Sequence, residues 1–204
     1  MKINLYNEWD NVPWETLQPN YGRYRISNLL NLIPLEGLHL DIGTGRGDGT
    51  ELINQIKKTV AIDYGIKSCR IAKSKGLQIL QSDAHFLPFK DKVFLSITCT
   101  DVLEHIPNAG PVLKEAYRVL MDNGVVILQT PNRELITEVL LRIFRRFGFM
   151  KSYQPYDIPY SLKEIKNMAK EANFILERTY ITRHWVPNPI YRIMAFSRVF
   201  ILKK

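Results

Sequence analysis

The residues with the most chemical content form one string, Asp41-Ile42-Gly43-Thr44-Gly45-Arg46-Gly47, followed by acids at Asp63 and Asp83. Glycines at this spacing let the backbone take positive φ and approach a ligand closely, and a helix opening just behind them presents free N–H groups. Such a string also fits a dinucleotide binder. The acids point elsewhere. Counted from Gly43, the last glycine of G-x-G-x-x-G would fall on Asp48, and a carboxylate there opposes a pyrophosphate. Carboxylates at 41, 63 and 83 in one cleft suit instead a ligand that carries an ammonium and a sulfonium. The two oxygens of Asp63 match a pair of ribose hydroxyls.

A second group is Asp101, Glu104 and His105, which the spacing i, i+3, i+4 predicts on one face of a short helix. These three are the candidates for substrate contact or proton handling. Cys99 is read as a buried, inert strand-end thiol, His39 as a strand side chain, and His184 with Trp185 as packing in a loop.

Elements to position these residues follow from the alternation of short apolar runs with helical patterns, which is the mark of βαβ units. Strands are predicted at 37–42, 59–63, 77–81, 92–100 and 125–130, the last entered by a turn at Asp122-Asn123-Gly124 and stopped by Pro131. Strands two to five are nearly all apolar, as in a parallel sheet covered on both faces. Helices are predicted at 24–33, 50–57, 66–75 (stopped by Gly76) and 111–121. Beyond Pro131 come a long helix at 134–147, an aromatic loop at 151–160, and a helix at 161–172 whose Ser161 and Glu164 fit a capping box. Two more strands, 174–182 and 197–202, complete seven. The acids then fall at carboxyl ends of strands one to three, where ligands bind in such sheets.

Composition agrees with one globular domain. The chain has 204 residues, 46% hydrophobic and 24% charged, and two cysteines that suit a reducing compartment. No apolar run approaches the roughly 18 residues of a membrane span, and residues 1–14 lack the apolar core of a signal peptide, so a cytoplasmic location is expected. The net charge of +8 is uneven: residues 131–204 hold 14 Lys/Arg against 6 Asp/Glu, and residues 1–130 are balanced. The basic third is read either as a solubilising surface or as a face toward something anionic.

The sequence resembles the class I S-adenosylmethionine-dependent methyltransferases, in the group acting on small molecules and lipids. LDIGTGRG (40–47), VAIDYG (60–65), QSDAHFLPFKDKVF (81–94), TDVLEHI (100–106) and LKEAYRVLMDNGVVILQTPN (113–132) are similar to that family's successive motifs. The resemblance implies a Rossmann-like α/β fold with a seven-stranded, mostly parallel sheet flanked by helices, and S-adenosyl-L-methionine as cofactor. It implies that Asp41 with the Gly43 and Gly45 backbone holds the methionine portion, that Asp63 takes the ribose hydroxyls with Tyr64 beside the adenine, and that Asp83 and Ala84 meet the adenine edge. Thr44 and Thr100 complete this cofactor set. Where the family usually has Asp after the position of Phe94, this chain has Leu95.

For Asp101, Glu104 and His105 the resemblance leaves three uses open: loop support, which is favoured, substrate contact by His105, and a divalent-ion site that would lower an acceptor hydroxyl's pKa. No metal ligand set is assigned. A single domain is expected, with an N-terminal cap at 1–35 (Trp9, Trp14, Tyr21, Tyr24), a cofactor core at 36–130, a substrate-cover insertion at 131–160 and a C-terminal helix and strands at 161–204. The stretch 139–151 is a basic amphipathic helix, with Arg142, Arg145, Arg146 and Lys151 beside a face of Leu140, Ile143, Phe144 and Phe147; it packs on the sheet or rests on an anionic membrane. Tyr153, Tyr156 and Tyr160 would line an apolar acceptor pocket. The acceptor is expected to be a small molecule or lipid-like. A nicotinamide oxidoreductase, an RNA methyltransferase and a non-catalytic binding protein are the alternatives, with nucleic acid disfavoured.

Overall fold

The computed structural model describes residues 21–131, 160–183 and 196–204. Seven strands make one sheet: β1 (His39–Ile42), β2 (Thr59–Asp63), β3 (Gln78–Gln81), β4 (Phe94–Thr100), β5 (Leu120–Pro131), β6 (Ile175–Arg183) and β7 (Phe196–Lys203). Their order across the sheet is β3-β2-β1-β4-β5-β7-β6. The first five run parallel, and β7 lies antiparallel between β5 and β6. This is the expected Rossmann-like, mostly parallel α/β sheet. Chain order reverses between β1 and β4, so the loops leaving their carboxyl ends diverge and open a crevice there.

Among the described residues five helices flank the sheet: α1 (Tyr21–Ser27), α2 (Asp48–Ile56), α3 (Ile66–Ser74), α4 (Gly110–Val119) and α5 (Leu162–Glu171). Period-two alternation splits the apolar residues of the central strands between two cores. Val126 and Leu128 of β5 join Phe200 and Leu202 of β7 on the side of α4 and α5, where Val112, Leu113 and Ile165 pack. Val125, Ile127, Val199 and Ile201 face the other way, onto Ile26, Leu29 and Ile53 of the α1–α2 side. Gly76 ends α3 with φ +78, and an added Cβ there would meet nothing, so backbone conformation and not space requires glycine.

Three expectations are corrected. The predicted helix over 24–33 is instead α1 followed by a separate 3-10 turn at Leu30–Leu32, because Ser27 Oγ bonds back to the Tyr24 carbonyl (2.8 Å) and the next bonds span three residues. The turn at 122–124 does not precede the fifth strand but interrupts it. Leu120 pairs with Phe94 and Val125 with Ser96, so Met121–Gly124 loop out between them, with Asn123 at φ 63. Third, β3 is not covered on both faces: it is an edge strand with Gln78, Leu80 and Gln81 exposed. The helix expected at 134–147, residues 151–159 of the aromatic loop, His184 and Trp185, and the cap up to residue 20 lie outside the described residues.

The capping box on α5 is present as expected: Glu164 N donates to Ser161 Oγ (3.2 Å), and Ser161 N donates to Glu164 Oε2 (2.7 Å). It secures a helix that contributes Ile165 and Ala169 to the core. Ser161→Ala should cost about 1 kcal/mol in denaturant unfolding, with the slope unchanged; a midpoint indistinguishable from wild type would show that the cap contributes nothing.

Candidate active site

Asp41 is the third residue of β1 and is buried between β2 and β4. Thr98 Oγ1 from β4 donates to its Oδ1 (2.7 Å), and the Thr50 hydroxyl from α2 donates to its Oδ2. Thr44 Oγ1 in turn bonds Thr50 Oγ1, so the loop, the helix and two strands meet on this one carboxylate. Burial raises its carboxyl to about 6; the hydroxyls of Thr50 and Thr98 hold it down, and the neighbouring charge of Asp63 pushes it further up.

The chain leaves β1 through Gly43, whose φ of +76 is left-handed. A Cβ there would run into the Val102 side chain of the loop after β4. The glycine thus lets two diverging loops touch at the switch point. Asp63, last residue of β2, reaches across: Oδ2 accepts Gly45 N (2.7 Å) and Oδ1 accepts Gly65 N (2.8 Å). A carboxylate oxygen can accept more than one hydrogen bond, so these ties to the loop do not by themselves exclude a ligand hydroxyl.

Asp83 follows β3 and is half-exposed. Its Oδ1 accepts the His85 backbone N–H (2.9 Å) and bonds His85 Nδ1 (2.8 Å), while Oδ2 has no bond among the described residues. Ala84 is buried, whereas Phe86 two residues on and Tyr64 just after β2 are exposed at 77% and 41%. Arg118 of α4 clamps the segment that follows. Its guanidinium donates to the carbonyls of Leu87 (3.0 Å) and Phe89 (2.8 Å) and to Asp91 (2.8 Å), and Glu115 accepts Leu87 N (2.8 Å) while pairing with Arg118 (2.7 Å). These bonds hold Glu115 below the ordinary carboxyl value.

Asp101, Glu104 and His105 do not share one helical face. Asp101 sits before the 3-10 turn Leu103–His105, with φ 49 and its N–H on the Gln129 carbonyl (2.8 Å). Its carboxylate meets the guanidinium of Arg25, which α1 brings over the end of β4. Glu104 is buried, and its Oε1 lies 4.0 Å from His105 Nε2. Among the described residues no three His, Cys, Asp or Glu side chains converge closely enough to hold a metal ion. Thr100 ends β4 half-buried beside this turn.

Tyr160 is committed elsewhere: its hydroxyl donates to Ile106 O (2.9 Å) and accepts Ala109 N (3.2 Å), supporting the loop after β4. Burial pushes the Cys99 thiol well above its ordinary value, with Glu104 and Asp41 adding to it, so no thiolate forms. The sequence reading missed the polar partners beneath Asp41, namely Thr98, His39, Ser96 and Lys57. Their one sequence signal is Ser96 and Thr98 at alternate positions in an otherwise apolar strand.

Residues 40–128 match the family model described as a methyltransferase domain. An uncharacterised protein of Methanocaldococcus jannaschii is 36% identical over 46% of this chain and 36% of its own. The chain spans between 36% and 63% of the length of the archaeal relatives it matches. A demethylmenaquinone methyltransferase of Oceanobacillus iheyensis is 26% identical over 84% of each chain. The crystal structure of an S-adenosylmethionine-dependent methyltransferase from Thermotoga maritima superimposes with a TM-score of 0.75 at 21% identity, covering 98% of this chain and all of the other, a likeness of fold. The domain is thus of the methyltransferase class. Residues 40–128 form a methyltransferase domain of the kind that uses S-adenosylmethionine.

The raised carboxyl of Asp41 has a definite sign in stability. The folded protein holds this proton more tightly than the unfolded chain does, so this group should make stability fall as pH rises from 3.8 to about 6 and then stay level. Glu115, with its lowered value, acts oppositely and loses its contribution in acid. Subtracting the pH–stability curve of Asp41→Asn from that of wild type isolates the first effect; parallel curves would assign the titration to another group.

Proposed function

We propose that this chain transfers a methyl group from S-adenosylmethionine to an apolar small molecule of quinone-like or lipid-linked type. The observation that carries the reading is the placement of Asp41, Asp63 and Asp83 at the carboxyl ends of three adjacent parallel strands around the Gly43–Gly45 loop. In this reading Asp41 supplies negative charge beneath the amino-acid end of the cofactor, and Gly43, Thr44 and Gly45 let that end lie against backbone. Asp63 receives the ribose hydroxyls, with Tyr64 beside the adenine. Asp83 Oδ2 and the Ala84 N–H meet the adenine edge, and the Arg118 clamp keeps that segment in place. Thr100 closes the floor near the reacting end.

The bound cofactor supplies a methyl group already activated by the sulfonium charge. What remains for the protein is to align the acceptor and exclude water. Asp101, taken up by Arg25, serves to hold α1 over the site, and no general base is needed or assigned.

The acceptor class draws on the demethylmenaquinone methyltransferase that aligns over most of both chains. No helix among the described residues is long and apolar enough to cross a membrane, so contact with a lipid-borne acceptor would be peripheral, through the basic residues after 130.

Asp63→Ala should weaken both S-adenosylmethionine and S-adenosylhomocysteine by about 1.5–3 kcal/mol in calorimetry; unchanged affinity would remove Asp63 from the site. Incubation with methyl-labelled cofactor and a demethylmenaquinone should give a labelled quinone. If label instead enters bulk RNA, or the protein shifts RNA in a gel and ignores anionic vesicles, the small-molecule reading is wrong. The triple variant Arg142→Gln, Arg145→Gln, Arg146→Gln should lose vesicle binding and keep cofactor affinity.

A further inference from the structure

Between β1 and β4 runs a continuous line of buried polar groups: Lys57 Nζ to Ser96 Oγ (3.1 Å), Ser96 Oγ to His39 Nδ1 (2.8 Å), His39 Nε2 to Thr98 Oγ1 (2.9 Å), and Thr98 Oγ1 to Asp41 Oδ1 (2.7 Å). All five residues are buried, His39 completely. The line begins at the amino end of the sheet and ends under the glycine loop.

With a charged group at each end, counting hydrogens gives its direction. Lys57 Nζ also bonds the carbonyls of Pro34 and Glu36. With Lys57 an ammonium, its three N–H groups go to the two carbonyls and to Ser96 Oγ, which accepts from it. The one Ser96 hydrogen is then directed at His39 Nδ1, which must be bare. At the other end, an ionised Asp41 can only accept, so Thr98 donates to it. Having spent its hydrogen, Thr98 accepts from His39, whose Nε2 must carry the proton. Both ends demand the same tautomer of a neutral imidazole. Burial and the facing Lys57 charge lower His39 to about 3, in keeping with that neutrality.

We infer that His39 is a positioning residue: through Thr98 it links the Lys57 ammonium to Asp41 by a one-way chain of donors, which holds the Asp41 carboxylate ionised and aimed at the amino-acid end of the cofactor. This rests on the proposed placement of Asp41 at that end. The partners of Lys57 couple the loop at 34–36 to the site as well, because its carbonyls set the direction of the chain from below. The imidazole cannot be replaced by any residue lacking both a donor and an acceptor, since either Thr98 or Ser96 would lose its partner in a dry core.

The tautomer can be read directly by nitrogen-15 NMR of the full chain with labelled histidine. Of the four histidines, His39 is identified by slow exchange of its ring N–H with water. A protonated Nε2 with a bare Nδ1 at neutral pH is expected; the opposite tautomer or an imidazolium would overturn the inference without any variant. Binding supplies the second readout. Thr98→Val should weaken S-adenosylhomocysteine roughly tenfold, the loss of one hydrogen bond to a charged group, and leave 5′-methylthioadenosine, which lacks the amino-acid end, unchanged. Thr98→Ser should restore the affinity. Equal weakening of both ligands would mean general damage and overturn the positioning role. If Asp41→Asn leaves S-adenosylhomocysteine affinity unchanged, the placement of Asp41 fails by itself, and the NMR result still decides the direction of the chain.

Discussion

A carboxylate at the centre of a parallel sheet must be surrounded by donors or give up its charge, and Asp41 meets that constraint from three directions. Thr98 reaches it from β4 and Thr50 from α2, while Thr44 fixes the Thr50 hydroxyl from the loop. Because each donor belongs to a different element, satisfying one buried acid also fixes the relative placement of strand, helix and loop. An unpaired buried acceptor costs about 1–3 kcal/mol and a charged one more, so displacing any of these elements is strongly resisted. The site is therefore held in shape by the need to solvate a single group that water does not reach.

Much of this was legible before any coordinates. The seven strands, their mostly parallel pairing and the positions of Asp41, Asp63 and Asp83 at strand ends follow from local patterns: apolar runs of strand length, a glycine cluster, a turn after each run. Long-range partners were not legible. Nothing in the order of residues says that His39 lies between Ser96 and Thr98, some 57 and 59 positions away, since that depends on the β1–β4 register and not on neighbours in the chain. Arg25 on Asp101 escaped for the same reason, and the spacing of Asp101, Glu104 and His105 misled because it presumes helical backbone where Asp101 is left-handed. The turn at 122–124 was recognised correctly from its residues; what it connects was not, because Leu120 is drawn into the core beside Phe94.

Two of the three strand-end acids use part of their bonding capacity within the protein. Asp63 ties the glycine loop to the end of β2, and Asp83 shapes the turn that carries His85. These ties keep acidic oxygens at fixed positions, the kind of preorganisation that a charged ligand exploits. They also separate two kinds of damage. Removing Asp63 frees the glycine loop directly, whereas Arg118 controls the segment after β3 through the Leu87 and Phe89 carbonyls and Asp91.

The position of β7 has a consequence for biosynthesis. It is last of the seven strands in chain order, yet it lies inside the sheet, between β5 and β6. During translation the parallel strands emerge first and β5 is left with an open, apolar edge, of the kind that pairs with foreign chains. Among the described residues no earlier strand pairs with that edge, because β6 reaches the sheet only through β7. The ribosome must therefore read through residue 203 before the sheet is closed, so the pairing of this sheet is completed only after synthesis of its final strand.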